Sequence, residues 1–202
     1  MCSSDLFALL AYFWRDTARV ITGSFELVGI GRENGRLSQG GKLALLILVA
    51  TPPALVAGLV YELAPGLDVL RTPHVIAAAT IVFGLLLWWA DVKGPRHRTE
   101  ADMKLRDGIL IGLAQALAFI PGVSRSGVTM TAARALGLSR TEAARFGMLC
   151  GSPVLLIAGA YACLKLATAE SGEVTVPLSD GLIVAGLSFV TAYASIFALL
   201  AH

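Results

Sequence analysis

Five long apolar stretches dominate the sequence and limit what it can fold into. They cover residues 6–21, 42–62, 74–92, 146–167 and 181–200. A helix needs roughly 20 such residues to cross the ~30 Å hydrocarbon layer of a bilayer. Hydrophobic residues make up 56% of the 202 residues and charged residues only 15%, which is too apolar for a soluble domain. The sequence therefore predicts an all-α polytopic membrane protein with about five transmembrane helices, the first of them marginal.

A sixth apolar region, residues 107–137, is interrupted in its middle. Residues 107–120 and 126–137 are each too short to span a bilayer, and Pro121–Gly122 separates them. Two half-helices around a break form either one discontinuous crossing or a re-entrant hairpin. The segments before and after this region are both rich in Lys and Arg, as cytoplasmic loops are. We therefore predict a re-entrant helical hairpin at 107–137 within a single membrane domain spanning 6–202, with residues 1–5 outside it.

The distribution of charge also predicts the sidedness of the chain. Lys and Arg are concentrated in three segments, 15–42, 93–106 and 134–145, whereas the remaining loops carry few. These three segments are expected on the cytoplasmic face. The net charge of +2 is nearly neutral, so nothing in the composition indicates a nucleic-acid partner.

The break in the hairpin carries an arginine, Arg125, in an otherwise apolar region. A charge at membrane depth costs roughly 2.5 to 3.5 kcal/mol on insertion scales, so an arginine there is expected to belong to a functional site. Its planar guanidinium can bind two phosphate oxygens, and Ser124, Ser126 and Thr129 can donate further hydrogen bonds. This combination predicts an anion site for a phosphate-like headgroup.

Backbone features of the same segment favour the same ligand. A helix restarting near Ser126 would present unpaired N–H groups and the positive end of its dipole. Gly122 and Gly127 allow the backbone to approach a ligand closely. The predicted site is therefore built at a helix N-terminus.

The run from Ile111 to Gly127 resembles the second signature of the bacterial undecaprenyl-diphosphatase (bacitracin-resistance) family. Its Pro-Gly-Val-Ser-Arg-Ser-Gly portion, residues 121–127, is highly specific. The likeness continues through residues 136–140, Phe146 and Pro153, and upstream through residues 12–15 and Asp91.

The resemblance implies an enzyme of the bacterial inner membrane that removes the terminal phosphate of undecaprenyl diphosphate and so regenerates the carrier lipid of peptidoglycan synthesis. It implies two inverted repeats, a site open to the periplasm, a divalent cation (magnesium or calcium), and a homodimer as the candidate assembly. Arg125 matches the family's diphosphate-binding arginine. The expected catalytic residues are thus Arg125 and Ser124, and the expected substrate-binding residues are Gln115, Gly122, Ser124, Arg125, Ser126, Gly127 and Thr129.

The chain departs from the family pattern at the first signature, an acidic stretch followed by a Ser-Ser-x-Gly-His segment. Gln115 and Phe119 stand at the repeat-equivalent positions of the family's carboxylates, and no metal ligand is evident in this sequence. The family's last helix is not found before His202. We therefore expect this chain to be a partial form that binds the diphosphate but hydrolyses it slowly.

A second class of function fits the same pattern. Broken helices around a charge at the membrane midplane are also how transporters are built, so a lipid-phosphate or anion transporter or flippase is the alternative. Phosphate release from a polyprenyl diphosphate would indicate the phosphatase, whereas headgroup translocation without hydrolysis would indicate the transporter.

Overall fold

The computed structural model describes residues 11–30, 37–64, 66, 70–95, 97–168 and 178–200. Within these ranges the regular structure is helical. The α-helices, in chain order, are α1 Trp14–Leu27, α2 Gln39–Leu63, α3 Pro73–Lys93, α4 Leu105–Ala116, α5 Arg125–Ala135, α6 Arg140–Thr168 and α7 Leu178–Leu200. Short 3-10 helices cover Glu100–Asp102 and Leu117–Phe119.

Three helices in the described part of the chain are long and apolar enough to cross a membrane. They are α2, α3 and the first 22 residues of α6, Arg140–Tyr161. These helices correspond to three of the five predicted stretches, and a fourth stretch, 181–200, lies within α7. The prediction of an all-α membrane protein is confirmed.

Residues 6–10 of the first predicted stretch, 6–21, lie outside the described residues, and the described helix continues past residue 21. Helix α1 runs from Trp14 to Leu27, so Arg15 and Arg19 lie in a helix and not in the loop to which their charge was assigned. The physical reason is amphipathicity. Ile21 and Phe25 are exposed on one face, at the i, i+4 spacing that a helix brings together.

Contacts divide the chain into two compact units. One comprises Ala18–Gly151, and the other combines Met1–Thr17 with Ser152–His202. In the second unit the Tyr193 ring lies against the rings of Tyr12 and Phe189. All of the predicted site residues belong to the first unit, while the prediction of a single membrane domain at 6–202 stays a prediction.

Helix α4 packs directly against α2, with glycines at the contact. A Cβ on Gly108 would lie 3.2 Å from the Leu46 carbonyl oxygen, and one on Gly112 would lie 2.6 Å from that of Ala50. Both contact positions rise together in residue number, from Gly108 with Leu46 to Gly112 with Ala50, so α4 runs parallel to α2. Leu43, Leu46, Ile47 and Ala50 of α2 and Ile111 of α4 are buried in the first unit, as are Phe146 and Leu149 of α6.

The chain doubles back at the end of α4, as the hairpin prediction requires. Arg98, which precedes α4, donates its backbone N–H to Gly137 O at 3.1 Å and accepts from Ser139 N at 3.1 Å, both of which follow α5. The Arg98 guanidinium also forms an ion pair with Asp107 in the first turn of α4. Both ends of the hairpin therefore meet at one place, and its tip lies away from them.

Candidate functional site

The tip of the hairpin is held against helix α3 at Gly122. This residue has a φ of 94°, a conformation that side chains disfavour, and a Cβ there would lie 2.4 Å from the carbonyl oxygen of Ile76. Its own carbonyl accepts a hydrogen bond from the Thr80 hydroxyl at 3.0 Å. Glycine at position 122 thus lets the backbone of the tip touch the backbone of α3.

Ser124 caps the helix that leaves the tip. Its backbone is extended, with φ −72° and ψ 125°, and its hydroxyl oxygen accepts the N–H of Gly127. The hydroxyl of Ser126 lies 3.3 Å from that of Ser124. Helix α5 accordingly begins at Arg125, one residue before the start expected from the sequence, because the N-cap is Ser124.

Arg125 is the first residue of α5 and is half-buried. Its Cδ lies 3.5 Å from the position that a Cβ on Gly151 of α6 would occupy, so the side chain runs along α6. The guanidinium therefore originates where the helix dipole is positive, and both features favour an anion. The structure brings Gly122, Ser124, Ser126 and Gly127 together with Arg125 at the tip.

Thr129 lies inside the protein. It is 0% exposed, and its hydroxyl lies within 3.2 Å of three carbonyl oxygens, those of Arg125, Ser126 and Gly147. The contact with Gly147 ties α5 to α6. In this arrangement the hydroxyl is committed to backbone oxygens inside the protein, and its contact with a substrate stays a prediction.

Gln115 is also inaccessible in this conformation. It is 0% exposed, and neither atom of its amide has a hydrogen-bond partner in the described part of the chain. An unpartnered buried polar group costs roughly 1 to 3 kcal/mol. Gln115 lies in the last turn of α4, below the tip, so the structure does not support direct contact with a substrate bound outside.

The other end of α5 is anchored by Arg134, which the charge pattern of the sequence placed among loop charges. It is 2% exposed and lies within the helix. Its guanidinium pairs with the Asp91 carboxylate at 3.1 Å and donates to the carbonyls of Asp91, Gly94 and Pro95, at the end of α3 and just beyond it. Helix α5 is therefore fixed to α3 at both ends. A long basic side chain inside an apolar half-helix, opposite an acidic residue in α3, was the available signal.

The described residues do not fit a divalent cation. Within the described ranges no group of three or more His, Cys, Asp or Glu side chains could hold a metal ion. Asp91 and Asp107 are engaged by arginines at the far end of the hairpin from Arg125. No chemical step is therefore assigned to a metal at the tip.

Comparison with known proteins identifies one family and several relatives that share a name. The sequence matches the family described as bacitracin resistance protein BacA over residues 3–202. A protein of Hyphomonas neptunium named undecaprenyl-diphosphatase is 53% identical to it, over 98% of this chain and 71% of the relative. Proteins of the same name from Maricaulis maris and Jannaschia are 46% and 42% identical, over 98% and 94% of this chain and 72% and 68% of theirs.

Proposed function

Because this chain belongs to the bacitracin resistance protein BacA family, we propose that it is an undecaprenyl-diphosphatase, the name its relatives carry. The reaction adds water to the terminal phosphorus of undecaprenyl diphosphate and breaks the bond to the bridging oxygen. The products are undecaprenyl phosphate and inorganic phosphate. The observation that carries this proposal is Arg125 at the N-terminus of α5, on a tip fixed to α3.

The residues of the tip perform the electrostatic part of this reaction. A diphosphate concentrates negative charge on its non-bridging oxygens, and phosphoryl transfer depends on positioning those oxygens and stabilising their charge. The Arg125 guanidinium binds two of them as a fork. The hydroxyls of Ser124 and Ser126 donate to the same group, and the dipole of α5 adds to the attraction.

We also propose that the tip faces the periplasm from the inner membrane. Lys104 and Arg106, at the start of α4, lie at the end of the hairpin away from the tip. Basic residues favour the cytoplasmic side, which supports a tip directed to the opposite side. We propose that the protein assembles as a homodimer, and the molecular mass of the purified protein in detergent would test this.

The divalent cation implied by the resemblance takes ligands that the described residues do not supply. We propose that headgroup binding at the tip depends on Arg125. We expect binding of a short-chain prenyl diphosphate to persist in EDTA. Complete loss of binding in EDTA, restored by magnesium, would contradict this assignment.

The central test is Arg125→Lys, with Arg106→Lys as the matched control on the same hairpin. Lysine keeps the charge but offers no fork, so binding of farnesyl diphosphate to the first variant weakens about tenfold or more, because hydrogen bonds to charged groups are worth roughly 1.5 to 3 kcal/mol. The control binds as the unmodified protein does. A loss well below ~1 kcal/mol would indicate a purely structural arginine.

Phosphate release, measured alongside binding, separates the phosphatase from the transporter. Release from farnesyl diphosphate that falls with Arg125→Lys supports hydrolysis at this site. Translocation of the headgroup across liposomes without any release would support the transporter. The slow turnover expected for this chain stays a prediction of the same assay.

A further inference from the structure

A polar cavity lies in the first compact unit, at the end of the hairpin opposite its tip. Its volume is about 430 Å³. Walls come from α1, from the start of α2, from the 3-10 helix Glu100–Asp102 and from the first turns of α6. Residues before and after the hairpin therefore enclose it, and none of the residues of the tip contributes.

Cationic side chains outnumber anionic ones in this cavity. Arg19, Lys42 and Arg145 line it together with two carboxylates, Glu100 and Glu142. The Glu142 carboxylate pairs with Arg145 at 3.2 Å and also accepts the backbone N–H of Glu100 at 3.1 Å. Glu142 and Arg145 therefore form an ion pair within the wall.

The other two basic residues of the lining, Arg19 and Lys42, come from two different helices. Lys42, in the first turn of α2, directs its ammonium group to the carbonyl oxygen of Ala101, which places that charge at the rim formed by the 3-10 helix. Arg19 comes from α1, whose backbone at this residue touches Gly40. Neighbouring Asp102 is engaged by Thr99, whose backbone N–H and hydroxyl hold the pKa of Asp102 below its usual value.

The positive end of α2 is not available to a ligand here. The Glu26 carboxylate accepts the backbone N–H of Ser38 at 2.9 Å and its hydroxyl at 2.7 Å, and so occupies the N-terminus of the helix. Recognition in the cavity therefore depends on the side chains of Arg19, Lys42 and Arg145. An ammonium group and two guanidinium groups are hydrogen-bond donors of the kind that bind phosphate oxygens.

The surroundings of the cavity match the level of lipid headgroups. Ile21 and Phe25 are exposed on one face of α1, as is Val28 just beyond its end, while Arg19 lies on the opposite side of that helix. An exposed apolar stripe beside basic residues is typical of a helix in the membrane interface. Basic pockets between membrane helices on the cytoplasmic side bind phosphate-bearing headgroups.

We propose that this cavity is a second anion site, which binds a phosphate group at the base-rich end of the protein. The phosphate is carried either by an anionic phospholipid headgroup or by free inorganic phosphate. The site is independent of the diphosphate site at Arg125, because the two lie at opposite ends of the hairpin.

The test uses purified protein carrying Arg125→Met, so that phosphate at the hairpin tip does not contribute. One arm titrates inorganic phosphate calorimetrically. The other reconstitutes the protein in nanodiscs of phosphatidylcholine with or without phosphatidylglycerol and counts retained lipid by native mass spectrometry. Arg19→Gln and Lys42→Gln are compared with Arg106→Gln, which removes the same charge from an exposed position at the same end of the hairpin.

Saturable binding in either arm, weakened about tenfold or more by Arg19→Gln and by Lys42→Gln but less than twofold by Arg106→Gln, supports the proposal. Binding of free phosphate identifies a soluble anion as ligand, and selective retention of phosphatidylglycerol alone identifies the lipid. Absence of saturable binding in both arms overturns the proposal. So does equal weakening by the Arg106 control, which would mean diffuse surface attraction.

Discussion

Gly122→Ala is expected to disable the diphosphate site without removing any side chain that donates a hydrogen bond to the substrate. Two costs arise. Alanine at a φ of 94° is strained by roughly 1 to 3 kcal/mol. Its Cβ would also stand 2.4 Å from the Ile76 carbonyl oxygen and 2.9 Å from Ile76 Cα, and both atoms belong to the backbone of α3. A helix backbone cannot rotate out of the way, so the tip must move.

The displacement can be estimated from the contact itself. Ordinary contact begins at 3.4 Å, so the tip retreats from α3 by about 1 Å, which also breaks the bond from Thr80 to the Gly122 carbonyl. That bond is worth roughly 0.5 to 1.5 kcal/mol. Arg125 follows three residues later and moves with the tip. Misplacement of a binding group by 1 Å can reduce turnover about a hundredfold.

The chain provides matched controls for the strain. Gly29 and Gly66 have φ values of 97° and 94°, and an added Cβ at either would meet nothing within 4 Å. Gly29→Ala and Gly66→Ala therefore carry the torsional cost alone. Thermal unfolding in detergent should report comparable losses for all three variants, with a further increment for Gly122→Ala.

Titration with farnesyl diphosphate then separates a change in the position of Arg125 from a loss of thermal stability. Only Gly122→Ala should lose affinity, and Thr80→Val should show a small part of that loss. Wild-type affinity in folded Gly122→Ala protein would refute the idea that contact with α3 sets the place of Arg125. Equal loss in Gly66→Ala would refute it as well, because that variant leaves the contact intact.

Three further outcomes are expected. Arg134→Met lowers the free energy of unfolding by roughly 3 to 5 kcal/mol, because it removes a buried, multiply bonded cation, whereas Arg140→Met, the exposed second partner of Asp91, costs far less in the same denaturation experiment. Thr129→Val destabilises the fold by roughly 1 to 3 kcal/mol yet leaves diphosphate affinity unchanged in titration, and a selective loss of affinity would place Thr129 in the substrate site. Single cysteines at positions 100 and 140 react with an impermeant maleimide from the same side of the membrane, and labelling from opposite sides would exclude the hairpin.

The sequence predicted the reversal of the chain and the helix start at the tip because both depend on local chemistry, while the anion site there stays a prediction. The break at Pro121–Gly122 follows from the loss of a backbone donor and from glycine's freedom, wherever the segment lies. A serine followed by arginine at a helix start produces an N-cap and a positive charge at the same point. These features required no knowledge of neighbouring helices.

The roles of other residues could not be predicted, because each depends on a partner far along the chain. Thr129 was proposed as a donor to the substrate from its hydroxyl, but Gly147 of α6 lies beside that hydroxyl. Arg134 was counted only as part of the basic segment 134–145, although the end of α3 surrounds it with carbonyl oxygens. Exposure and hydrogen-bond partners are properties of the packed molecule, and residue type does not reveal them.

The sequence by itself thus determined the class of fold, the point where the chain reverses, and the N-cap serine with its following arginine that begin α5. The tertiary structure alone decided where that reversal is held, through the backbone contact of Gly122 with Ile76, and which polar residues turn inward. The physical reason is the range of the interactions. Helix formation, capping and charge act within a few residues, whereas burial and close backbone packing arise only when α3, α4, α5 and α6 come together.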